Sequence, residues 1–156
     1  MRAESIQHSS FVDLPPRWVS VALGDCDLIP LQAPSGRLSM QTARGRRFTL
    51  ISALIADAVP LSEEDLGREV SNAYSRILAE LETKGQHAVR FWNFIPDLHA
   101  AMGPGIDRYM VFNSGRFHAY SRLAPEDAVL ARTLPTASGV GSATPSLTIH
   151  CFAAPK

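Results

Sequence analysis

Gln86-His87-Ala88-Val89-Arg90-Phe91-Trp92-Asn93-Phe94-Ile95-Pro96 and, after a short connection, Gly105-Ile106-Asp107-Arg108-Tyr109-Met110-Val111-Phe112-Asn113-Ser114-Gly115-Arg116 form the stretch that decides how this chain is organised. Residues 89–95 read as a strand in which Arg90, Trp92 and Phe94 share one face, since side chains alternate along a strand. Pro96-Asp97 stops it, and Met102-Gly103-Pro104-Gly105 supplies a turn. A helix is expected from Asp107 toward Arg122, because a capping acid after Gly-Pro-Gly starts a helix well. Asn113-Ser114-Gly115 in its middle costs about 1 kcal/mol for the glycine alone, so something local must favour those residues or the helix is shorter.

Upstream, residues 48–56 place Phe48, Leu50 and Leu54 on one side and Ile51 and Ile55 on the other. Apolar residues on both faces mark an interior strand. A helix follows from Ser62: a good cap, then Glu63, Glu64 and Asp65 at the positive end of the dipole, with Asp65 in the capping-box place. Leu66, Val70, Ala73, Tyr74, Ile77, Leu78 and Leu81 then recur at spacings of three and four until Gly85. Residues 1–16 are polar and end in Leu14-Pro15-Pro16, an arm leading into a first strand near residues 18–23. Residues 24–47 read as loops around short pieces of strand. Downstream, Pro125-Glu126-Asp127 opens a short helical stretch, residues 138–142 are rich in Gly and Ser, and residues 147–153 read as the last strand.

The expected architecture is α+β: a single mixed sheet in one domain, residues 17–156, after the arm of residues 1–16. Both main helices follow strands and lead back into the sheet, so right-handed crossovers place them on one face. The other face has no cover and is expected to be buried by another subunit or domain, so an oligomer is expected.

The counts exclude several classes. The 156 residues carry 15 Lys plus Arg against 15 Asp plus Glu, 46% are apolar and 19% charged. A neutral chain with that apolar content folds rather than staying disordered, and it lacks the net charge that draws a protein to nucleic acid. No run reaches 18 apolar residues and residues 1–10 lack the apolar core of a signal peptide, so a soluble, cytoplasmic protein is expected. Cys26 and Cys151 have no CxxC spacing and read as reduced thiols. His87, His99, His118 and His150 show no metal-ligand spacing, and Gly139-Val140-Gly141 lacks the rest of a phosphate-binding fingerprint, so neither metal nor cofactor is expected. Thirteen of the 15 cations are arginine, the exceptions being Lys84 and Lys156. Arginine offers a planar fork for carboxylates, which suits an anionic small ligand.

The opening stretch resembles the chorismatases. That family carries a strand of the form Arg-x-Trp-Asn-Tyr-x-Pro followed by Gly-Leu-Glu-Arg-Tyr-x-x-Phe-Asn-x-Gly-Arg. Here Arg90, Trp92, Asn93, Pro96, Arg108, Tyr109, Phe112, Asn113, Gly115 and Arg116 stand at the matching places. The resemblance implies a fold of the YjgF or RidA-like group, whose members form trimers or pseudo-trimers. It also implies chorismate as substrate, hydrolysed to pyruvate and a dihydroxycyclohexadiene carboxylate or a hydroxybenzoate, in aromatic secondary metabolism. A typical member is about twice as long, with the catalytic acid in its second half, so chemistry here is expected to need a subunit interface or a partner chain. Asp107 replaces the motif's Glu and Phe94 its Tyr. Pro135 is followed by Thr136, not by the arginine that RidA-like imine deaminases keep, which makes deamination the weaker alternative. A non-catalytic scaffold or carboxylate-binding module of the same fold is the main rival.

Chorismate is a dicarboxylate, so binding needs cationic donors and an apolar wall. Arg108 and Arg116, with Phe112 between them, fall on one side of a helix about 12 Å apart. Either they form a carboxylate wall or they pair with acids to fix structure. Arg90 and Trp92 offer a cation beside an aromatic surface, unless Trp92 only packs on a helix. Tyr109 orients a substrate hydroxyl or belongs to the core. Enol-ether hydrolysis needs a general acid, for which Asp97, Asp107 and Glu126 are the nearby candidates, although Asp107 also suits a helix cap and Asp97 a turn.

Overall fold

A segment that is apolar on both faces is stable only inside a sheet, and residues 49–55 lie inside one. The computed structural model describes residues 11–32, 36–123 and 134–156. In chain order it contains α1 (Arg17–Leu23), β1 (Asp27–Leu31), β2 (Leu38–Arg44), β3 (Thr49–Ile55), α2 (Glu63–Thr83), β4 (Gln86–Pro96), a small hairpin of β5 (Ala101–Gly103) and β6 (Ile106–Asp107), α3 (Arg108–Leu123), β7 (Thr136–Ser142) and β8 (Leu147–Pro155). The main sheet has the order β1-β2-β3-β8-β4-β7. Its neighbours are antiparallel except β4 and β7. β8 therefore lies between β3 and β4, which run the same way, and α2 is the crossover that joins them. The helix α3 is the crossover from β4 to the parallel edge strand β7.

Both long helices cover one face, as the crossover rule predicts. Ile51, Ala53 and Ile55 of β3, Ile149 and Cys151 of β8 and Phe91 and Ile95 of β4 pack there with Leu66, Tyr74, Ile77 and Phe112. Tyr74 stacks on Phe91 with ring centroids 4.8 Å apart. Ser62 caps α2 as expected, its side chain accepting from the Asp65 backbone N–H at 3.1 Å. At the far end Gly85 takes the left-handed conformation, φ 60°. The mid-helix glycine of α3 has its reason in packing. A Cβ on Gly115 would come within 2.6 Å of the Gly67 carbonyl oxygen and 3.0 Å of Val70 Cβ, so its absence lets α2 and α3 cross closely.

The structure sharpens the expectation at both ends of the chain. Residues 18–23 are helical, not a strand: Val19 and Leu23, four apart, are buried while Val21 faces outward. Within residues 24–47, expected as loops around short pieces of strand, residues 27–31 and 38–44 form the regular strands β1 and β2, and the Gly- and Ser-rich residues 138–142 belong to the strand β7. The opposite sheet face is also not bare. Within the chain, α1 and residues 11–16 lie over it, where Val19 and Leu23 pack with Ala43, Leu50, Trp92 and Phe152. The helical stretch expected at Pro125-Glu126-Asp127 lies outside the described residues.

Candidate functional site

The first turn of α3 sorts the motif residues. Asp107 acts as a cap, its Oδ1 accepting from the Met110 backbone N–H at 2.9 Å. Arg108 is buried and its guanidinium is committed to main chain: Nη1 donates to the Pro96 carbonyl at 3.0 Å and Nη2 to the Val59 carbonyl at 2.8 Å. The exposed Asp97 carboxylate stands 3.6 Å from Nη1. Arg108 thus ties the end of β4 to the loop after β3, and it is not free to form the carboxylate wall expected with Arg116. Asp97, at φ 45° directly after Pro96, is a turn residue.

One residue further along the helix the phase changes. Tyr109, Phe112, Arg116 and Tyr120 share a face that looks onto β4 and β7, and with Asn93 and Gly139 they line a cavity of about 170 Å³. Asn93 is a polar residue on the helix-side face of β4, between Phe91 and Ile95. Its Oδ1 accepts from the Tyr74 hydroxyl at 2.7 Å and its Nδ2 donates to the Ser138 carbonyl at 3.0 Å. Gly139 leaves room for the Tyr109 ring, which a Cβ there would meet at 2.7 Å. Burial pushes the Tyr74 and Tyr120 phenols well up, with the Arg116 charge pulling the other way in both cases, so both stay protonated at neutral pH. Arg116 itself is half-buried and, among the described residues, forms no ion pair or hydrogen bond. A guanidinium without a partner, beside neutral hydroxyls and aromatic surface, is suited to a carboxylate on a ring. No acid stands among the described lining residues, which supply one cation and two neutral phenols.

Arg90 and Trp92 do not join this cavity. They lie on the other face of β4, where the Arg90 guanidinium sits 5.8 Å from the Trp92 ring centroid. Trp92 is buried under α1, edge-on to Trp18 at 5.8 Å. Of the five residues expected to bind substrate, the structure brings together Arg116 and Tyr109. Sequence reasoning missed Asn93 and Tyr120 as partners. The signals were an asparagine on the core face of a strand and a tyrosine four residues after Arg116.

A model of the family described as chorismatase FkbO/Hyg5-like, N-terminal, matches residues 34–153. Among solved structures, a chorismatase is 19% identical with a TM-score of 0.59, and the match covers 81% of this chain and 36% of that one. A protein described as a translation initiation inhibitor from Salmonella typhimurium is 12% identical with a TM-score of 0.46, covering 85% of this chain and 100% of that one. No curated protein matches. At 19% identity the chorismatase likeness establishes the fold, and the chain spans about a third of that protein's length.

Proposed function

The chain belongs to the chorismatase FkbO/Hyg5-like N-terminal family, and from that premise we propose that it binds chorismate or a related cyclic carboxylate through Arg116, as the binding part of a chorismatase-type hydrolase. The observation that carries this reading is the half-buried Arg116 guanidinium, without a described partner, in a cavity shared with Asn93, Tyr109 and Tyr120. A cavity of about 170 Å³ is smaller than the ~300 Å³ at which pockets begin to enclose a drug-sized ligand. It accommodates one carboxylate and the adjoining ring edge. The Tyr109 ring over Gly139 forms the wall and its hydroxyl orients the ligand.

Release of pyruvate from an enol ether requires a proton on the vinyl carbon, then water at the resulting cation. The described lining residues offer no carboxylic acid, and Asp107 is occupied as a cap. The acid is then supplied from outside the described lining, by a second domain, a partner chain, another subunit or Glu126, which lies outside the described residues. Calorimetric titration of the purified chain with chorismate and with benzoate, followed by a pyruvate assay with and without a candidate partner, tests both halves. Binding without pyruvate release by the chain alone is expected. A chain that binds neither compound would overturn the proposal.

A further inference from the structure

The sheet face beneath α1 carries a polar row in its middle. Gln41 of β2 is paired with Ser52 of β3, and Ser52 with His150 of β8, so the three side chains stand side by side across three strands. They form the floor of a second cavity, about 290 Å³, whose apolar walls include Leu14, Val19, Leu23, Ala43 and Leu50. It lies on the opposite side of the sheet from Arg116.

The hydrogen bonds of the floor fix its chemistry. His150 is buried; its Nε2 lies 2.7 Å from the Asp13 carbonyl and its Nδ1 lies 2.7 Å from Ser52 Oγ. A carbonyl only accepts, so Nε2 carries the proton and Nδ1 accepts from the Ser52 hydroxyl. Burial holds the imidazole neutral, its pKa pulled down to about 4. Ser52 has then spent its proton on His150, and its oxygen lone pairs have no partner among the described residues. The Gln41 amide is likewise without a described partner. The Ser52 oxygen, buried at the floor of an apolar cavity, therefore has acceptor capacity to offer a ligand there, beside the half-buried Gln41 amide. A carboxylate would set negative charge against the Ser52 oxygen and a neutral histidine, and Arg17, exposed at the rim, offers only screened attraction.

We propose that this cavity binds an uncharged ring-sized alcohol or phenol, its ring held between α1 and the sheet and its hydroxyl donating to Ser52 Oγ. The size agrees, since an apolar cavity of about 150 Å³ already holds benzene and this one has room for a substituted ring. Amide-resolved NMR titrations of the wild-type chain with phenol, toluene and benzoate test the idea. Phenol is expected to shift the Leu23, Ser52 and His150 resonances and to bind about threefold to tenfold more tightly than toluene, the contribution of one neutral hydrogen bond, with benzoate weakest. In Ser52→Ala that preference should vanish while toluene still binds, and Ala43→Leu, which fills the cavity, should remove both. Phenol shifts that miss those residues, or equal affinities for phenol and toluene in the wild type, would overturn the proposal. The wild-type comparison decides even if neither variant folds.

Discussion

Two arginines eight residues apart in one motif have different work, and single substitutions separate them. Arg108 satisfies two backbone carbonyls in the interior, so Arg108→Met leaves the Val59 and Pro96 oxygens unpaired and should cost about 2 kcal/mol or more in thermal or denaturant unfolding. Arg116 has no described partner, so Arg116→Met should leave stability within about 0.5 kcal/mol and reduce carboxylate affinity tenfold or more, read by calorimetry. Equal loss of stability in both would make Arg116 structural as well. His150 gives a separate signature in pH. Unfolded, the imidazole protonates near pH 6.5; folded, only near pH 4. Between those values the unfolded chain binds the extra proton, so the contribution is complete above pH 6.5 and is lost at up to ~1.4 kcal/mol per pH unit as the pH falls toward 4. The melting temperature of His150→Gln should fall less steeply over that window than the wild type's, by about one proton's worth. Parallel curves would mean that His150 is already protonated in the fold.

At the scale of elements, α2 and α3 cross closely at Gly67 and Gly115. Gly115→Ala should push the helices apart, since its Cβ meets backbone oxygen at 2.6 Å and not a flexible side chain, with a loss of about 1 to 3 kcal/mol in chemical denaturation. That α3 would tolerate Asn113-Ser114-Gly115 could be read from the chain as a puzzle, but its answer needs the partner helix. The same limit separates what was legible from what was not. Periodicity and caps identify α2, β3, β4, α3 and β8, because each carries its own apolar pattern. The helix α1 carries aromatic and β-branched residues that favour a strand, Trp18, Val19 and Val21. Only the sheet face beneath decides that Val19 and Leu23 must point the same way. Strand β7 has almost no apolar pattern, and it exists because β4 offers it a parallel edge and Gly139 clears Tyr109. In the site, the motif pointed to Arg116 and Tyr109. A phase shift of one residue on α3 decides that Arg108 turns inward, and strand alternation turns Arg90 and Trp92 to the opposite face.

For the whole molecule, neutrality of the sequence does not extend to its surfaces, since a cation stands in one cavity and a neutral polar row in the other. An oligomer of this chain would have a narrower surface to use than a bare sheet face would offer. With α1 and residues 11–16 over the sheet, the apolar surface left on that side includes Trp18, 52% exposed, and Val21, 79% exposed. Trp18 is half-committed inward, edge-on to Phe152 at 5.4 Å, whereas Val21 has no such duty in the monomer. An oligomer, expected as a trimer, should therefore form across α1. Val21→Glu should then return a trimer to monomer mass in size-exclusion chromatography with light scattering while the secondary structure stays intact, because a charge at an exposed helix position is nearly neutral for folding and costly in a dry interface. A wild-type chain of monomer mass would show that α1 completes the second face by itself. An acid, which the described lining of the Arg116 cavity does not supply, would then have to come from residues outside the described ones, a second domain or a different chain.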